Sequence, residues 1–160
     1  MSTIKIGVIA KDIVTGFTGV VTAYAVHLSN CDRAFIQPRE LKEDGSPKDA
    51  HYFDVPQLEY VDMSDVPIIE PVYTNIHNGD KVCHNIIPFK GTVIGINTWI
   101  NGCVRIGVQT SHMEKGSPLD EVWYPCQELT LIEPQVIPEP EKEKKVGGPM
   151  KAPKAVSNPK

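Results

Sequence analysis

The stretch Gly91–Gln109, GTVIGINTWINGCVRIGVQ, decides how the rest of the chain is read. Its two runs of Val, Ile and Thr meet at Asn101-Gly102, the dipeptide that best tolerates the positive φ angles of a two-residue hairpin turn. The same pattern stands earlier in the chain. Gly19-Val20-Val21 lies over Gly91-Thr92-Val93, and Cys31-Asp32-Arg33 over Cys103-Val104-Arg105, at an offset of 103 − 31 = 72 residues. Farther on, Gly45-Ser46-Pro47 falls over Gly116-Ser117-Pro118, and Leu58 over Leu129, at an offset of 129 − 58 = 71. One deletion in the long loop reconciles the two offsets, so the chain reads as a tandem duplication.

The duplication divides the 160 residues into a first unit over 1–62, a connector over 63–75, a second unit over 76–133 and a tail over 134–160. Units this small bury little core, so each is expected to lean on its twin or on a partner. In the first unit the β-rich runs are Lys5–Val14, Val20–Leu28, Arg33–Pro38, His51–Phe53 and Leu58–Val61. Their counterparts are Asp80–Ile87, Thr92–Ile100, Arg105–Thr110, Val122–Tyr124 and Leu129–Ile132. Ala23 and Gly95 fall in mid-strand, where a small residue permits a sharp bend. Five short strands per unit without helical periodicity predict an all-β chain of two tandem SH3-like small β-barrels, with a sandwich as the alternative. Phe17 and Phe89 are read as packing residues that cap a barrel end, Phe53 and Trp123 as residues that close one. The polar stretches RELKEDGSPK (39–48) and SHMEKGSPL (111–119) read as loops.

Composition narrows the chemistry. Cys31 and Cys103 occupy equivalent places after a hairpin turn and are expected to be free thiols in the cores. Cys83-His84 with His77 could supply half a zinc set, but the first unit has Lys11-Asp12 instead, and no metal or cofactor is expected. The sequence has no GxSxG, P-loop, GxGxxG or HExxH pattern, so an enzyme is not expected. No apolar run approaches the roughly 20 residues of a spanning helix, so no membrane partner is expected. The tail carries six Lys and three Glu, leaving 16 − 6 = 10 basic and 20 − 3 = 17 acidic residues in the body. An acidic body repels phosphate, which argues against nucleic acid as a partner.

Protein surfaces are the remaining candidates. Trp99 stands where the first unit has His27, and an aromatic whose twin tolerates His is a better contact residue than an obligatory core residue. The connector contributes Ile68 and Ile69 as candidate partner contacts, and the tail contributes Ile137 and Met150. The tail's prolines and alternating charges predict an extended, solvated segment that orders only against something else.

The shared string resembles KOW-type small barrels, in which a Gly-x-Val step opens the second strand. More closely, it is similar to short domains of tailed-bacteriophage proteins, whose elements here read Gly79-Asp80-Lys81-Val82, Gly16-Phe17-Thr18-Gly19-Val20-Val21, Asn101-Gly102-Cys103 and Phe53-Asp54-Val55-Pro56-Gln57-Leu58. The first unit departs from this pattern at Gly7-Val8 and Ser29-Asn30, the second at Pro88 and at Tyr124-Pro125-Cys126. The resemblance implies a virion structural protein, foremost a capsid decoration or cement protein that binds the outside of the head and bridges capsid subunits. Its partners would be the major capsid protein, other virion proteins or further copies of itself, after assembly in the host cytoplasm. The other readings are a head-to-tail joint or tail component, and a KOW-like regulator that binds nucleic acid or transcription machinery.

Overall fold

Apolar and polar residues alternate through the runs above, and the strands follow that alternation. Strand β1 (Val8–Asp12) buries Val8, Ala10 and Asp12 and turns Ile9 and Lys11 outward. β2 (Thr18–His27), β3 (Arg33–Gln37) and β4 (His51–Asp54) follow as antiparallel neighbours. A 3-10 turn over Val55–Gln57 then sends β5 (Leu58–Met63) back along β1. The second unit repeats this course with β6 (Lys81–His84), β7 (Lys90–Trp99) and β8 (Val104–Gln109). After a small hairpin of β9 (Met113–Glu114) and β10 (Ser117–Pro118) come β11 (Val122–Pro125), a 3-10 turn over Cys126–Glu128, and β12 (Leu129–Glu133) back along β6. The structure is a computed structural model that describes residues 3–29 and 31–135. Among them every regular element is a strand or a 3-10 turn.

The offsets read from the sequence recur pair by pair in the ladders. Ile9↔Val20 becomes Lys81↔Thr92, and Val21↔Ile36 becomes Val93↔Val108, each partner moved by 72 residues. Beyond the loop, Ala34↔Phe53 becomes Ile106↔Tyr124, moved by 72 and 71. The bends recur too, with a register shift between Val21 and Ala23 in β2 and between Val93 and Gly95 in β7. Each unit surrounds its own apolar cluster: Val8, Ala10, Val21, Ala34, Ile36 and Leu58 in the first, Ile76, Val82, Val93, Val104, Ile106, Val108, Cys126 and Leu129 in the second. Phe17 and Phe53 pack on the first cluster and Phe89 on the second. The ladders remain open, because the outermost strands β4 and β5, and likewise β11 and β12, share no pairing.

The Gly-x-Val step has a steric cause. A Cβ on Gly19 would stand 2.3 Å from the Gln37 carbonyl oxygen, and one on Gly91 would stand 2.5 Å from that of Gln109. At the end of β1 the buried Asp12 accepts the Thr15 amide and hydroxyl, and the hydroxyl bond chiefly holds its carboxyl below the ordinary carboxylate range. At the equivalent place His84 Nδ1 accepts the amides of Ile86 and Ile87, so a different residue ties the same turn.

A third set of pairings joins the units. The C-terminal halves of β2 and β7 run antiparallel, from Ala23↔Trp99 through Ala25↔Asn97 to His27↔Gly95, and fuse both ladders into one ten-stranded sheet. Adding 72 to the β2 residue of any pair gives the β7 residue of its mirror pair, so the seam has a local two-fold axis through Ala25↔Asn97. Two bonds just outside the paired strands keep the relation: the Leu28 amide donates to Ile94 and the Ile100 amide to Thr22.

Three expectations are corrected. Cys31 and Cys103 are free but exposed, because each lies just ahead of its third strand on the outward side; Cys126 is the buried thiol, and burial pushes it up in pKa. The Asn101-Gly102 loop has three residues, with the Gly102 amide donating to the Trp99 carbonyl and positive φ at Gly102 but not Asn101. The 111–119 loop holds the β9–β10 hairpin, which Lys115 (φ 50°) and Gly116 (φ 81°) turn.

Gly19→Ala and Gly91→Ala are each expected to destabilise the chain by about 1–3 kcal/mol, the usual cost of forcing atoms into a filled site, as read by urea unfolding. Native-state alkylation followed by mass spectrometry is expected to label Cys31 and Cys103 rapidly and Cys126 only after denaturation.

Candidate functional site

The local axis determines which side chains meet. Residues of the seam alternate between two faces, and on one face stand Ala23, Ala25 and His27 from β2 with Gly95, Asn97 and Trp99 from β7. Four of these six are Ala, Gly or Asn, so the middle of the seam is low and its ends carry large rings. Tyr52 and Arg33 reach it from the first unit, and Trp123, Arg105 and Glu121 from the second, enclosing a cavity of about 370 Å³. Most of the lining is matched across the axis: His27 with Trp99, Ala25 with Asn97, Arg33 with Arg105, Tyr52 with Trp123.

Each end of the cavity is an aromatic group made across the seam. At one end Trp99 of β7 meets the Phe35 ring of the first unit edge-on at 5.4 Å, and Phe35 lies 4.4 Å from Tyr52. At the other, His27 of β2 meets Trp123 of the second unit edge-on at 6.2 Å. The ends differ because Gly107 stands where the first unit has Phe35. A Cβ on Gly107 or on Gly95 would come within 2.8 Å of the Trp123 ring, so the indole lies on bare backbone. Phe35 fills the corresponding space at the other end.

Polar groups make the cavity more than an apolar dent. The Asn97 amide donates to Tyr52 Oη at 2.6 Å, while Asn97 Oδ1, His27 Nδ1 and Trp99 Nε1 are buried without a partner. Three of the five such side-chain atoms among the described residues thus line one cavity. A buried orphan costs roughly 1–3 kcal/mol unless water or a ligand reaches it. The two arginines are unequal. Arg33 pairs with Asp54 at 3.1 Å and sits 5.6 Å from the Tyr52 ring centre. At the position of Asp54 the second unit has Pro125, and Arg105 donates to the Trp123 carbonyl at 3.0 Å with no carboxylate in ion-pair reach among the described residues. Trp99 and Arg105 also border a second hollow of about 360 Å³, lined by Asn101, Cys103, Val104, Pro125 and Gln127. The two hollows form one groove across the end of the seam.

Of the residues that the sequence singles out, the structure brings Trp99 to the centre of this groove. Ile68 and Ile69 lie elsewhere, on the connector, both more than half exposed. Ile68 borders Gly7 and an apolar hollow on the opposite face of the seam, where Tyr24, Val26, Ile96 and Thr98 point. The Ile69 amide donates to Ile100 and the Val72 amide to Gly102, so the connector is bound to the β7–β8 hairpin. Ile137 and Met150 lie outside the described residues. His84 Nε2 stands 3.2 Å from Glu128, and no group of three potential metal ligands occurs among the described residues. Arg105, Asn97 and His27 were missed, although the exchange of Asp54 for Pro125 between the copies marked Arg105 as the arginine with no carboxylate at the paired position.

Neither the family models, nor the curated proteins, nor the solved structures contain a match to this chain.

Tyr52→Phe removes the acceptor of the Asn97 amide and is expected to lower stability by about 1 kcal/mol in urea. Gly107→Ala is expected to displace the Trp123 ring and change tryptophan emission, a direct report on the groove because both Trp residues of the chain line it.

Proposed function

We propose that the chain is a virion structural protein of a tailed bacteriophage, foremost a decoration protein that binds the outside of the head and bridges capsid subunits. In this reading each unit is an SH3-like small barrel whose unpaired outer strands and loops grip neighbouring subunits. The observation that carries the binding role is the seam. It fuses the two units into one body, and the resulting groove offers a partner aromatic rings and, in Arg105, a guanidinium that has no ion pair among the described residues. Two linked contact surfaces gain effective concentration from their connection, which suits bridging of repeated subunits. The exposed Ile13, Val14, Ile86 and Ile87 at equivalent turns of the two units add apolar contact area at matched places.

Quantitative mass spectrometry of purified particles tests the reading. A decoration protein is expected in full and empty heads at a high copy number in fixed proportion to the major capsid protein. Removal of 134–160 is expected to weaken its retention. A few copies per particle, or recovery only with host polymerase or nucleic acid, would reject the decoration role.

A further inference from the structure

The groove at the seam has a definite chemical shape. It is elongated, since two hollows share Trp99 and Arg105. Its lining also holds an unpartnered donor in Trp99 Nε1 and an unpartnered acceptor in Asn97 Oδ1, both buried. Its walls are Trp99, Tyr52, Trp123 and His27, and aromatic rings are the surfaces on which proline-containing segments pack. Its free charge is Arg105, whose planar donors suit a carboxylate. Glu121 lines the same cavity and suits a cation beside that carboxylate. The occupant thus specified is an extended, proline-containing acidic segment followed by a base.

The chain contains such a segment, Ile137-Pro138-Glu139-Pro140-Glu141-Lys142. We propose that this segment of one copy docks in the seam groove of a second copy, with a Glu carboxylate on Arg105, Lys142 toward Glu121 and its prolines against the aromatic walls. The place where the segment starts favours a second copy. The Gln135 amide donates to Asp80 at 2.7 Å, and the Gln135 side chain lies against Gly79. The adjoining His77 and Asn78 line the hollow on the opposite face of the seam. Ile137 follows two residues later, at most about 7 Å away, and the rest of the segment would have to turn round the edge of the sheet to reach the groove of its own copy. A neighbour's segment meets no such obstacle. The contact is head-to-tail, joining the segment of one copy to the groove of the next.

Sedimentation equilibrium of the full-length chain tests this, with tryptophan emission recorded in parallel. The wild type is expected to self-associate with rising concentration and to change its emission as it does so. Arg105→Gln, and separately Glu139→Gln with Glu141→Gln, are each expected to weaken association about tenfold, the worth of one charge-assisted hydrogen bond. Both changes lie at exposed or tail positions, so folding is expected to persist, which circular dichroism checks. The decisive step is mixing. The arginine variant keeps an intact segment and the glutamate variant an intact groove, so an equimolar mixture is expected to form a heterodimer with near-wild-type affinity. A monomeric wild type, association unaffected by either variant, or variants that fail to complement when mixed would each overturn the proposal. Failure of the capsid role would leave this result unchanged, because no virion component enters the experiment.

Discussion

The antiparallel pairing of β2 with β7 is the constraint on which the remaining structure depends. Each unit alone has a small apolar cluster and an open ladder. Domains of that size bury a small fraction of their surface and are marginal. The seam satisfies the free edges of the two longest strands at once, by placing each against its own copy. Because partner and copy are the same pattern, one register serves both, and that register centres on Ala25↔Asn97. The arrangement has the geometry of an isologous dimer contained in one chain.

The same pairing generates the site. Side chains stand out from the two faces of the paired strands, and on one face Ala23, Ala25 and Gly95 are small. The small centre leaves a depression, and the large residues at its ends, His27 and Trp99, become its walls. Duplication then allowed the halves to diverge. Phe35 with Tyr52 fills one end, whereas Gly107 with Trp123 fills the other. Pro125 at the place of Asp54 leaves Arg105 without an ionic partner among the described residues. Divergence between equivalent positions, not the symmetry itself, gives the groove its polarity.

The repeat was legible in the sequence because its signals are local: glycines barred from carrying a Cβ, β-branched runs, and turns at fixed offsets. The seam was not, because Gly95 serves two purposes and the bend explains it as well as the contact with Trp123 does. The groove was still harder to see, since its lining comes from β2, β3, β4, β7, β8 and β11 and no contiguous stretch contains it. Trp99 was found by its mismatch with His27, a comparison that needs only the repeat. The cysteines were misplaced for a simple reason: the alternation that buries Val104 and Ile106 turns Cys103 to the outward face with Arg105.

Native-state hydrogen exchange addresses the central claim most directly. The bonds of Leu28 to Ile94 and Ile100 to Thr22, with the alternation of an antiparallel ladder, place the amides of Tyr24, Val26, Ile96 and Thr98 in the seam's hydrogen bonds. If the seam holds the two units in one cooperative body, these four amides exchange only through global opening, with the same free energy as the amides of β1 and β6. Rapid exchange of the four while the rest of β2 and β7 stays protected would show that the units are joined by the connector alone, and would contradict the account.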